Sequence, residues 1–213
     1  MTAASSGGDG AAWVLATRNA GKLVELRALF RDHGIAVIDL DEAGVAEAPE
    51  EDDLEVHATF EANALAKAQW FASRVDGRVV VADDSGLEVA ALGGAPGVIS
   101  KRWSGRTDLH GAALDAENNA KLIGALAGRT DRRARFVCAA ALVQGGRAPL
   151  VVRGEVVGRM VDRASGTHGF GYDPHFFVDE LGRTLADATV EEKQRVSHRA
   201  RAFVALLSRV AGG

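Results

Sequence analysis

In the segment LATRNAGK, residues 15–22, Asn19 stands between a short apolar run and leucines at helical spacing, the place of a helix N-cap. A strand-to-helix loop capped this way turns several free backbone N–H groups toward one spot, which is an anion site in outline. Arg18 and Lys22 sit beside the positive end of the helix dipole. Cations there are unfavourable by a few tenths to about 1 kcal/mol unless an anion compensates, so the placement makes sense if phosphate binds. An ordinary capped helix with solvated basic residues reads the same way, and the GxxxxGK[ST] spacing of the Walker loop is absent.

VVVADDSG, residues 79–86, sets two carboxylates and a serine after an apolar run. Ligands of open α/β sheets collect at the carboxyl ends of strands. Adjacent carboxylates there repel, and magnesium, which takes oxygen ligands from one or two carboxylates plus substrate phosphates, relieves the repulsion. A carboxylate left partly free could accept a proton from water. The bland alternative is a solvated acidic turn. Asn63 and Lys67, four apart, share one helix face, and the preceding acidic loop carries Glu55. In GFGYDP, residues 169–174, glycines on both sides of Phe170 leave the ring little local cover, which suits a plate for a base; stacking is worth about 1–3 kcal/mol. An aromatic turn folded on its own core is the competing reading. In KQRVSHRARAF, residues 193–203, Ser197 can cap the last helix, placing His198 and Arg199 in its first turn with Lys193 upstream. These cations either meet an anionic ligand or pair with neighbouring acids.

The elements that would position these groups alternate. AWVLAT is a short strand, the leucines after Gly21 form a helix, and IAVIDL is a second strand. Residues 41–55 read as an acidic surface loop, 58–71 as a helix with one buried face, and 78–82 as a buried strand ending in the acidic turn, with LEVAAL as a further strand. An irregular loop runs from GGAPG to Gly111, and a helix is expected over 118–126. ARFVCAAALV and PLVVRGEVVG, separated by QGGRA, predict an antiparallel hairpin, and an amphipathic helix is expected from about Ser197 to Val210. The sum is an α/β domain with a mixed sheet.

The chain has 213 residues, 47% hydrophobic and 25% charged, enough for one domain with a real core and too apolar for disorder in the body. Residues 1–11, small, polar and glycine-rich, predict a disordered leader ahead of a single domain over 12–213. A net charge of −4 is a poor footprint for a duplex-DNA binder, and together with 6% aromatics it argues against a single-strand RNA binder. No run approaches the roughly 18–20 apolar residues of a membrane span, and no signal peptide is evident. The single cysteine, Cys138, lies in an apolar run and cannot form an intrachain disulfide, so a reducing cytoplasm is the default expectation.

Taken in order, LATRNAGK, TFEANALAKA, ADDSGL, GGAPGVISKRWSG, GFGYDP and EEKQRVSHR resemble the inosine triphosphate pyrophosphatase family, over about Val14 to Leu207. The resemblance implies an elongated mixed sheet flanked by helices, two lobes around a nucleotide cleft, a homodimer, and cleavage of ITP, dITP and XTP between the α- and β-phosphates with magnesium. It implies that Thr17, Arg18, Asn19, Ala20, Gly21 and Lys22 cradle the triphosphate, with Lys67 and Lys193 adding charge. It further implies Asp84 as general base and metal ligand, Glu55 as the other metal carboxylate, and Ser85 as a phosphate or sugar contact. Phe170 would stack on the purine, Gly171, Tyr172 and Asp173 would shape its pocket, and His198 and Arg199 would read the base edge. The segment departs from the family's ETG and TFxENA at Val56-His57 and Ala62, which leaves Asp52, Asp53 and Glu61 as possible substitutes for Glu55. Two rival functions are a Maf-like pyrophosphatase with another base preference and a purine-nucleotide sensor without turnover. SHR with GFGYDP weighs against the first, and acids beside phosphates weigh against the second.

Overall fold

The computed structural model describes residues 12–212; the expected leader lies outside them. Seven strands form one mixed sheet in the order β2-β1-β3-β4-β5-β6-β7, where β1 is Trp13–Leu15, β2 Val37–Ile38, β3 Val80–Val89, β4 Arg133–Val143, β5 Leu150–Met160, β6 Phe176–Val178 and β7 Arg183–Thr184. β1 runs parallel to β2 and β3, and the remaining pairs are antiparallel. This is the expected α/β class.

Side chains alternate across the sheet, so neighbouring residues of β3 feed different layers. Val80 and Ala82 join a core with Phe60, Ala64, Ala68 and Phe71 of α2 (Phe60–Ala72). Val81 joins another with Leu26, Leu29 and Phe30 of α1 (Ala20–Asp32) and Phe203 and Leu206 of α5 (His198–Gly212). A third cluster, toward the far end of β3, joins Leu87 and Val89 to Leu122 of α3 (Gly111–Ala125), Phe136, Tyr172 and Phe176. No described helix is long and apolar enough to cross a membrane.

Several local expectations change. The acidic turn and the separate strand after it are one continuous β3, in which Asp83 and Asp84 pair with Ala140 and Ala139 of β4. A polar run reads as a turn when its partners are distant in sequence: here Asn63 Nδ2–H donates to the Asp84 carboxylate, and a Cβ at Gly86 would strike Gly97 O and the Ser100 hydroxyl. The third helix begins at Gly111, not 118, because its first turn lacks apolar periodicity and His110 gives no side-chain cap. The irregular loop before it contains 3-10 turns at Ala90–Leu92 and Gly97–Arg102. A further helix, α4 (Val190–Val196), opens on a Thr189/Glu192 capping box that the sequence TVEE already spelled.

Candidate active site

The site follows from a mismatch in strand length. β4 pairs with β3 along its whole length, whereas β1 pairs only with Val80 and Val81 and its chain leaves after Ala16 N–H donates to Val81 O. Past Val81 no strand pairs with the β1-side edge of β3, which is free at the carboxyl end of the parallel pair until Leu87 N–H donates to Ser100 Oγ and Glu88 bridges Pro96. A cavity of roughly 450 Å³ lies there, lined by Lys22, Glu55, Lys67, Asp84, Ser85, Phe170, Lys193, His198 and Arg199 among others, within the size range of small-molecule sites. Groups from both faces of β3 reach it around the open edge.

On one side α1 starts as expected. Asn19 Oδ1 accepts Lys22 N–H at 2.9 Å, and Asn19 N–H donates to Thr17 Oγ1. Ala20 and Gly21 occupy the first two helical positions, whose N–H groups this cap does not use. Lys22 Nζ lies 3.0 Å from Asp83 Oδ2. Arg18 also lines the cavity. Its guanidinium turns to the acidic loop, where it donates to both Glu51 oxygens, to Asp41 at 2.6 Å and to Val45 O. The two Glu51 oxygens engage the planar fork bidentately, the geometry a guanidinium favours with carboxylates.

On the other side stand the acids. Asp84 is buried, its Oδ2 accepting Asn63 Nδ2–H at 2.8 Å and its Oδ1 accepting Ser85 N–H. Burial, and then the charge of Glu55, raise its carboxyl to about 6 against the opposing pull of Lys22 and Lys67. Glu55 is paired with Lys67; burial works against its charge, but Lys67 and Lys22 hold it down at about 2. Asp83 is fully buried, and although burial opposes its charge, Lys22, Arg199 and Lys67 keep it far below the usual carboxylate range. Of the alternatives to Glu55, Asp52 also lines the cavity, whereas Glu61 is turned to Arg153 on the outer surface.

Two carboxylates that feel each other's charge across a cavity, one left near neutrality, are a donor set suited to magnesium. No group of three or more His, Cys, Asp or Glu side chains able to hold a metal occurs among the described residues. A divalent ion at Glu55 and Asp84 would therefore need oxygens from substrate and water to complete its shell, the usual magnesium arrangement.

The aromatic side is less bare than expected. Phe170 lies against Gly21, where a Cβ could not coexist with the ring, and Lys193 Nζ and Arg199 Cζ stand 5.0 and 5.6 Å from its centroid. Tyr172 and Asp173 are buried beside it; Tyr172 OH donates to Ser100 O, and Asp173 accepts Phe170 N–H and Lys193 Nζ–H. Ser197 caps α5 through Ala200 N–H, as expected. His198 is buried and stacked on Phe136 at 4.7 Å, with Nδ1 unpartnered, and burial, then the charges of Arg199 and Lys193, push its pKa well down, so the ring is neutral. Arg199 donates to Asp83, Glu25 and Ser85 Oγ. Three of its five N–H bonds are engaged, leaving two for a ligand.

Two participants were not singled out as site residues by sequence. Glu25, one turn beyond Lys22 on α1, bridges Lys193 at 2.6 Å and Arg199; those two cations outweigh burial and lower its carboxyl. Arg102 donates to Glu55 O from the Gly97–Arg102 turn. The helical spacing of Glu25 was visible, but nothing in the chain tells a buried glutamate from a solvated one on the same helix.

A mixed α/β sheet whose open edge carries a capped helix start, opposed carboxylates and a cation-flanked ring defines an α/β protein built around a cavity lined by charges of both signs. The chain belongs to the Ham1 family, whose sequence model matches residues 13–209. It is 49% identical over 199 residues to the dITP/XTP pyrophosphatase of Bordetella pertussis, covering 92% of this chain and 90% of that one. The dITP/XTP pyrophosphatase of Burkholderia pseudomallei is likewise 49% identical, covering 92% of each. Among solved structures, the Staphylococcus aureus Ham1 protein aligns with a TM-score of 0.79 at 37% identity, over 95% of this chain and 99% of that one. A nucleoside-triphosphatase / dITP/XTP pyrophosphatase from Mycobacterium abscessus aligns at 0.67 and 40% identity, over 94% and 100%.

Proposed function

We propose that this chain hydrolyses the deaminated purine nucleoside triphosphates ITP, dITP and XTP to nucleoside monophosphate and pyrophosphate. The observation that carries the reading is the single cavity into which Lys22, Asp84 and Phe170 all open, so phosphate, water and base can be handled together. Names borne by relatives covering nearly the whole chain point the same way.

In this reading the α1 N-terminus with Lys22, Lys67 and Lys193 holds the phosphates, and water adds to the α-phosphorus. The bond from that phosphorus to the α,β-bridging oxygen breaks, and pyrophosphate leaves with the bonding pair. Asp84, raised to about 6, is basic enough to take the water's proton and still ionised at neutral pH. Glu55 and Asp84 would hold magnesium, which supplies charge neutralisation on the phosphate oxygens when bound. Catalysis is then chiefly positioning and electrostatics. Phe170 stacks on the purine. The neutral His198 and the two unused Arg199 N–H bonds can donate to a 6-oxo group, whereas a 6-amino group would face donor against donor, a mismatch that sites of this kind reject strongly. The proposed assembly is a homodimer acting on the cytoplasmic nucleotide pool.

The test is a substrate panel scored for pyrophosphate with magnesium. ITP, dITP and XTP should be turned over far faster than ATP or GTP. Equal rates on ATP would remove the base selectivity, a preference for pyrimidine or methylated nucleotides would favour the Maf-like rival, and tight binding without pyrophosphate would favour the sensor.

A further inference from the structure

The ring of Phe170 is carried on a turn that α3, whose Asp115 also lines the cavity, grips through two side chains. Gly171 N–H donates to Asp115 Oδ2 at 2.8 Å, and Gly171 O accepts Asn119 Nδ2–H at 2.8 Å. Asp115 and Asn119 are four residues apart, hence on one face of the helix, and Asn119 Nδ2 also donates to Asp115 O at 2.9 Å. Both polar groups of one backbone residue are thus taken by two side chains of one helical turn. Gly171 is in the left-handed region at φ 63°, so the turn geometry they hold is not one an ordinary residue adopts readily.

Gly171 N–H belongs to the peptide that follows Phe170, and Gly171 O to the next. Fixing both planes fixes the backbone on the carboxyl side of the ring, while Asp173 Oδ2, accepting Phe170 N–H at 3.0 Å, fixes the other side. Side-chain rotation alone is left, and Gly21 limits that. The platform is rigid: α3 is rooted in the core by Leu122, and its Asn118 is tied to the neighbouring turn through Ser104 N–H and Lys101 O. Asn119 is buried with Oδ1 unpartnered, a cost that a leucine of similar size would avoid if the position had only to pack.

We propose that Asp115 and Asn119 are positioning residues that set where the Phe170 ring stands, and so set the affinity for the base while leaving the phosphates alone. The inference rests on the reading of Phe170 as the base plate. A site held on a helix is placed more closely than one left to its loop, and small misplacements of a contact group are expensive.

The experiment compares wild type with Asp115→Ala, Asn119→Leu and Asp115→Asn by three readouts: steady-state kinetics on ITP, inhibition by inorganic tripolyphosphate, and hydrogen exchange at the Gly171 amide. For Asp115→Ala and Asn119→Leu, KM for ITP should rise about tenfold with kcat within about threefold, the inhibition constant of tripolyphosphate should hold, and Gly171 should exchange at least tenfold faster. These changes are an order-of-magnitude expectation for losing one or two hydrogen bonds of about 1 kcal/mol each. Asp115→Asn retains an acceptor oxygen and should recover most of the loss. An unchanged KM for ITP, or an equal loss of tripolyphosphate inhibition, overturns the proposal and leaves the activity reading standing. If wild type does not turn ITP over, the activity reading falls, and unaltered Gly171 exchange in the two variants then overturns the clamp by itself.

Discussion

Asp83 and Asp84 are neighbours on β3 with side chains on opposite faces of the sheet, and their environments drive their carboxyls in opposite directions. Asp83 faces Lys22 and Arg199 and is held far below the usual range; Asp84 faces Asn63 and the charge of Glu55 and is raised to about 6. Paired acids pushed apart in this way are the mark of divided roles, one a fixed counter-charge and the other a group that exchanges protons.

The raised value has two causes that one substitution separates. Burial contributes most and Glu55 next, so Glu55→Gln should lower the Asp84 midpoint below about 6. Carbon-detected NMR titration without divalent cation reads this directly. Since the base works ionised, the acidic limb of kcat/KM should move in the same direction in the variant. A midpoint that stays put would assign the whole shift to burial.

Asp84→Asn should exchange activity for stability. Asp84 is 4% exposed and its folded value lies above the 3.8 of an ordinary aspartate, so its ionised form destabilises the fold. That penalty is full above about pH 6, shrinks as the pH falls, and is gone below about pH 4, where both states are protonated. At about 1.4 kcal/mol per unit, the variant should gain up to roughly 3 kcal/mol at pH 7.5 and nothing at pH 3.5. Turnover should fall by about two to four orders of magnitude. Urea melts at the two pH values, without magnesium, supply the check.

Local pattern carried what depends on neighbours in sequence. The Asn19 cap, the helix face bearing Asn63 and Lys67, the β4–β5 hairpin and the Ser197 cap were all legible because each is defined within a few residues. What was not legible depends on distant partners. ADDSG looks like a turn until Ala139, Ala140 and Asn63 supply a ladder and a hydrogen bond from 21 to 57 residues away. Nothing near Arg18 in sequence announces the acidic loop that folds over it, and Glu25 looks solvated until Lys193 and Arg199, about 170 residues on, close around it.

Arg18 and Lys22 should therefore behave differently although they share a motif. Both line the cavity, but Arg18 is bonded to Glu51, Asp41 and Val45 O of the acidic loop, while Lys22 stands beside Asp83. Lys22→Ala should reduce kcat/KM for ITP about a hundredfold or more, as expected for removing a charge from developing phosphate charge. Arg18→Ala should change it less than about fivefold, and should instead speed hydrogen exchange across residues 45–54. Its ion pairs are partly exposed and each is worth on the order of 1 kcal/mol or less. Equal kinetic losses would return Arg18 to the phosphate site.

Gly21 gives the last prediction, because it joins the phosphate side to the base side. It is the second residue of α1, where helical backbone suits any side chain, so its lack of a Cβ is not a backbone requirement. The space is the constraint: a methyl group there would overlap the Phe170 ring. For the helix itself alanine in place of glycine should be neutral or slightly stabilising, by up to about 1 kcal/mol. Gly21→Ala should therefore keep its melting temperature while the ring is pushed aside, and KM for ITP should rise by as much as in Phe170→Ala, roughly 5- to 150-fold for the loss of about 1–3 kcal/mol of stacking. The double variant distinguishes displacement from damage. If Gly21→Ala acts only through the ring, adding it to Phe170→Ala should cost nothing further, because the shared partner makes the two effects non-additive. A further loss in the double variant would place the defect in the phosphate-binding backbone instead.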